Sequence, residues 1–147
     1  MRADKIVSIC ETMAISSAKL LCERYPILNN LIPSDQDWNF LVTIAAVGAC
    51  ILNIPKHAFE EDSGEEFEHV LIDSIDEWHP RGHEAFQNMT SFVDRYMNEG
   101  IAPDLALGMW VIWNLKGSTP TEEELGIASV LGTFLFLQAK DTVSTSE

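Results

Sequence analysis

A chain of 147 residues with 46% apolar side chains is long enough for one domain with a sizeable core and too apolar for general disorder. Its 23 acidic residues against nine basic ones give a net charge of −14, which excludes a counterion-releasing nucleic-acid surface of useful size. Cys10, Cys22 and Cys50 are odd in number and sit in apolar helical patterns, so they read as reduced, buried thiols of a cytoplasmic protein rather than a disulfide framework.

Met1 to Cys10 alternates charge and lacks the continuous apolar run of a secretory signal. The first predicted helix spans about Asp4 to Tyr25, with Ile6, Ile9, Cys10, Met13 and Leu20 at helical spacing, and Pro26 stops it. A second starts after Ser34, which forms a weak capping box with Asp37, and ends before Pro55. Trp38 to Pro55 carries no charge and reaches the length of about 18 residues at which a membrane span must be weighed. Asn39, Thr43 and Asn53 interrupt it, and Ala45, Ala46, Gly48 and Ala49 keep it only mildly hydrophobic. It therefore reads as a central core helix, and no membrane partner is expected.

The third predicted helix is capped by Ser63 with Glu66 three residues on, and runs to Trp78 with Phe67, Val70, Leu71, Ile75 and Trp78 on one face. Pro80 and Gly82 break the chain. A fourth follows to Asn98, presenting Phe86, Met89, Val93, Tyr96 and Met97, with Gly100 as its C-terminal cap. The fifth, about Pro103 to Lys116, is apolar all round, sets Trp110 and Trp113 on one side, and ends at Gly117. For the sixth, Thr119 is the predicted N-cap and Pro120 the first helical residue, with Glu122, Glu123 and Glu124 at the positive end of the helix dipole. It continues to about Asp141, and the small polar residues 142–147 are expected to fray.

These signals predict an all-α fold: a single domain over residues 1–141, built as a bundle or orthogonal packing of about six helices. Three of the helices (the second, fifth and sixth) are apolar over most of their circumference. That surplus points to a homodimer through the fifth and sixth. Trp110, Trp113 and Phe136 are candidates for lining a small-molecule pocket between the same two helices.

Between Glu60 and Glu84 lie ten carboxylates, one cation (Arg81) and three of the four histidines, so this stretch carries ten less one, or nine, of the fourteen net negative charges. At about 100° per residue Glu65, His69, Asp73 and Asp76 fall opposite the apolar face of the third helix. Glu66 and His69 have the Glu-x-x-His spacing of carboxylate-bridged di-iron bundles, but there the ligands project inward and a second such pair is present. The expected function is a non-enzymatic interaction module, of inhibitor, immunity or chaperone type, presenting this face to a basic partner protein or mimicking the charge of nucleic acid. Its partner-binding residues are Glu60, Glu61, Asp62, Glu65, Glu66, Glu68, His69, Asp73, Asp76 and Glu77, with Phe59 of the preceding loop as an apolar anchor. The alternative is a metal-binding protein or metal-dependent enzyme using Asp76, His79 and His83, two imidazoles and a carboxylate that could hold zinc with an open fourth position. No phosphate loop, nucleophile elbow, Cys-x-x-Cys or His-Glu-x-x-His occurs, so no catalytic residue and no cofactor is expected.

Overall fold

Proline and glycine punctuation sets the described residues into seven helices and no strand: α1 (Ala3–Arg24), α2 (Leu28–Leu31), α3 (Asp35–Asn53), α4 (Ser63–Trp78), α5 (Gly82–Asn98), α6 (Pro103–Lys116) and α7 (Glu122–Thr145). This computed structural model describes residues 3–31, 35–53 and 63–145. The architecture is a single-domain helical bundle, as the sequence patterns imply. The seventh helix, α2, is a single turn that no sequence signal marked. It arises because Pro26 suits the first position of a turn, after which the amides of Leu28, Asn29 and Asn30 bond to carbonyls three residues back.

The uncharged α3 is the axis of the bundle. Every residue from Val42 to Cys50 is buried, and the helix packs against α1, α5, α6 and α7. A helix apolar on all sides can only be stable when so enclosed. Trp38 anchors its start to α1, its indole nitrogen donating to the Ala14 carbonyl at 3.2 Å. On α1 the buried stripe is Ile6, Cys10, Met13, Ala14 and Leu21. Leu20, which the spacing assigned to the core, is 59% exposed; the buried stripe continues instead at Leu21, seven residues and two turns from Ala14. Cys22 is half-buried, unlike Cys10 and Cys50.

The α6–α7 pairing is the most extensive in the fold. Two glycines make it possible. A methyl group on Gly108 would run into the Ala128 carbonyl, and one on Gly132 into the Asp104 carbonyl. The two backbones thus touch along a seam five residues long on each helix, 104–108 and 128–132. Enclosed by α3, α5 and α7, residues Ala106 to Ile112 of α6 are all buried within the chain. The surplus apolar surface that suggested a homodimer is therefore largely spent on the internal core; Val130 and Leu137 on α7 remain exposed.

Helix α6 has the predicted bounds, with Pro103 in its first turn and Gly117 in the left-handed conformation (φ 79°) at its end. Gly100 (φ 91°) plays the same part after α5, where its amide bonds to Met97 and that of Ile101 to Tyr96. Met97 itself is exposed rather than in the core. The start of α7 lies two residues beyond the expected position. Thr121, not Thr119, is the cap: its hydroxyl accepts from the Glu124 amide at 3.3 Å while the Glu124 carboxylate accepts from the Thr121 amide at 2.7 Å. At its other end α7 runs through Thr145, so residues 142–145, whose composition predicts fraying, have helical backbone. The Thr142 hydroxyl donates to the Gln138 carbonyl at 2.8 Å.

Candidate functional site

Helix α4 divides as its periodicity predicts. Leu71 and Ile75 are buried, Phe67, Val70 and Trp78 pack against the core, and Glu68, His69, Asp73, Asp76 and Glu77 are exposed. The helix is held at its C-terminal end. The Trp78 indole donates to the Glu11 carboxylate on α1, and its ring stacks on Phe40 of α3 with centroids 5.6 Å apart and planes 14° from parallel. Beyond it the chain turns tightly at Gly82, where a side chain would meet the Ile75 carbonyl at 2.8 Å. That turn sets α5 alongside α4 and carries Glu84 into the same acidic region. Glu65 and Glu66 lie in the first turn of α4, but their side chains, like Glu60, Glu61, Asp62 and Phe59 as a whole, fall outside the described residues.

The proposed metal ligands do not converge. The Asp76 carboxylate lies 3.8 Å from Nδ1 of His83. His79 turns away: its Nδ1 accepts the Arg81 amide at 3.1 Å, and its ring packs on Phe40 with centroids 4.4 Å apart. A histidine at this turn is explained by local capping and aromatic packing. Among the described residues, no group of three or more histidine, cysteine, aspartate or glutamate side chains is placed to hold a metal ion. No described helix is long and apolar enough to cross a membrane.

The tryptophans also part from the expected pocket. Trp110 and Trp113 both face α5, but Trp110 donates its indole proton to Asn88 at 2.9 Å while Trp113 meets Phe92 edge-on at 5.7 Å. Trp110 borders a polar cleft between α3, α5 and α6, with Asp37, Arg81 and Asn114 on its walls. Neither Trp113 nor Phe136 lines it.

A feature that no sequence pattern marked lies on the other flank of α4. An apolar groove of about 350 Å³ opens between α3, α4 and α5. Its walls are Ile51 and Leu52 from α3, Phe67 and Leu71 from α4, and Phe86, Met89 and Val93 from α5. Gly48 forms its floor, where a side chain would collide with the Met89 thioether; glycine lets Met89 lie flat on α3 and leaves the space above it open. Leu52 is 42% exposed although it lies at the end of the most buried helix. Glu68 on α4 and Asp94 on α5 are the carboxylates of the rim, both exposed. Among the described residues, no lysine or arginine is paired with Glu68, Asp73, Asp76, Glu77 or Asp94. The groove's apolar lining can desolvate a partner's side chains, while its rim and the adjoining α4 face favour positive charge. No protein-family model, curated protein or solved structure matches the chain.

Proposed function

We propose that this chain is a non-enzymatic interaction module that takes a basic, amphipathic helical segment of a partner protein into the groove between α3, α4 and α5. The observation that carries this reading is the juxtaposition of an open apolar groove with exposed carboxylates on two of its helices, Glu68 on α4 and Asp94 on α5. An acidic surface alone is as well explained by solubility. An apolar groove alone could take any greasy ligand. Together they select a helix with apolar side chains on one face and lysine or arginine along its flanks. Glu68 belongs to both parts, since it lies at the groove and beside His69 on the exposed face of α4. In this reading Phe67, Leu71 and Phe86 receive the apolar anchors, and Asp73, Asp76 and Glu77 extend the attractive field.

The test uses a fluorescent leucine–lysine helical peptide about 18 residues long, or five turns, and a leucine–glutamate peptide of the same pattern. Fluorescence anisotropy should show binding of the lysine peptide alone. Leu52→Glu places a charge in the groove wall at a half-exposed position, so the fold should survive, as circular dichroism would check. It should weaken binding about tenfold or more, equivalent to roughly 1.4 kcal/mol. Unchanged affinity for Leu52→Glu would place the peptide elsewhere and remove the groove from the function.

A further inference from the structure

The Cys10 and Cys50 sulfurs lie 3.8 Å apart in the core, where α1 crosses α3, and both residues are fully buried. They come from positions 40 residues apart, so the fold itself brings them together. We infer that Cys10 and Cys50 form a modification site, a thiol pair that a small peroxide converts into a disulfide joining α1 to α3. Three features of the surroundings support the reaction.

The gap is already van der Waals contact, and bond formation needs the sulfurs to approach to about 2.05 Å, a movement shared between two side chains. The seam is built from small residues: Ala14 lies one turn from Cys10, Ala46 one turn from Cys50, and all are buried, which lets the helices come close. The thiols also polarise each other. Either S–H can donate to the other sulfur, and the bond favours a thiolate on the accepting sulfur against the opposing effect of burial, while the same bond and burial push the donating thiol up. The accepting sulfur is then the attacking one and the donating sulfur the resolving one.

The chemistry balances with hydrogen peroxide as oxidant. The thiolate attacks one peroxide oxygen, the O–O bond breaks, and hydroxide leaves and takes up a proton to become water; its cysteine becomes a sulfenic acid. The sulfur of the other thiol then attacks the sulfenic sulfur, the S–O bond breaks, and a second water leaves with that thiol's proton. Two electrons pass from the thiol pair to peroxide. Burial selects this oxidant, because a molecule little larger than water can reach the seam by local opening whereas a peptide disulfide such as oxidised glutathione cannot. Half-buried Cys22 has no part in the pair and is the internal control.

The folded, reduced protein is treated with hydrogen peroxide, quenched with catalase, unfolded with a maleimide present, and mapped by peptide mass spectrometry. The expected product is a Cys10–Cys50 linked peptide with Cys22 alkylated, reversed by dithiothreitol. Oxidation of the unfolded chain gives a contrast, since there the shorter Cys10–Cys22 loop closes more readily. Peroxide should also raise the melting temperature of the wild type relative to its reduced form, and leave Cys50→Ser without that rise. Alkylation of both Cys10 and Cys50 after treatment that oxidises Cys22 would overturn the proposal, as would a Cys10–Cys22 link in the folded protein.

Discussion

Two buried polar side chains show how single residues are stabilised or not. The Glu124 carboxylate is 5% exposed, yet it accepts from the Lys116 ammonium at 2.6 Å and from the Thr121 amide at 2.7 Å. These bonds, the ammonium first, hold its carboxyl below the usual range, outweighing the effect of burial. A carboxyl depressed on folding contributes stability that is complete above its unfolded-chain value and is lost as pH falls through its folded value. Glu124→Gln should therefore cost roughly 2 kcal/mol at neutral pH, the worth of a charged hydrogen bond, and the deficit should shrink as urea melts are repeated toward acid pH. A deficit independent of pH would mean that packing, not charge, is what Glu124 supplies. Thr43 is the opposite case. It is fully buried in α3, and its hydroxyl has no hydrogen-bond partner among the described residues. Thr43→Val keeps the shape and removes the unsatisfied group, so it should stabilise the fold by about 1 kcal/mol in the same melts.

At the scale of whole helices, the α6–α7 seam has the least tolerance. Overpacking an ordinary core costs about 1–3 kcal/mol because side chains can shift, but at Gly108 and Gly132 the obstacle is the backbone of the facing helix. Gly108→Ala and Gly132→Ala should each cost about 3 kcal/mol or more. Gly126→Ala, where nothing lies within 4 Å, should be neutral or slightly stabilising, since alanine is the better helix former. Thermal melts of the three variants would check this ordering. Helix bounds were legible where one residue type settles them: Pro103 and Gly117 fixed α6, and Gly100 the end of α5. The start of α7 was not, because Thr119–Pro120 and Thr121-x-x-Glu124 are both sound local start signals. What favours the second is the bond from Lys116 to Glu124 across the turn, a tertiary contact. The exposed face of α4 was legible from its period. The groove was not, because its walls come from residues 48 to 94 on three helices whose mutual placement no local pattern specifies.

The molecule as a whole separates encounter from retention in the proposed complex. Nine of the fourteen net negative charges fall between Glu60 and Glu84, and among the described residues of that segment Glu68, Asp73, Asp76 and Glu77 set a negative field on the exposed face of α4. Such a field acts over about a Debye length, roughly 10 Å at 0.1 M salt, so it governs the approach of a basic partner and has little effect once contact is made. The buried walls of the groove act in reverse: they contribute only after water has been expelled, and so set the lifetime of the complex. Reversing Glu68, Asp73 and Asp94 to lysine, all exposed and therefore expected to fold normally, should slow association with the lysine peptide about tenfold and flatten its salt dependence. Leu52→Glu should leave association and its salt dependence close to wild type and shorten the lifetime instead. Stopped-flow mixing across a salt series distinguishes the two. If the charge reversals acted on dissociation alone, the carboxylates would be contact residues rather than a steering field. The concentration of charge in one segment would then have to be explained by solubility.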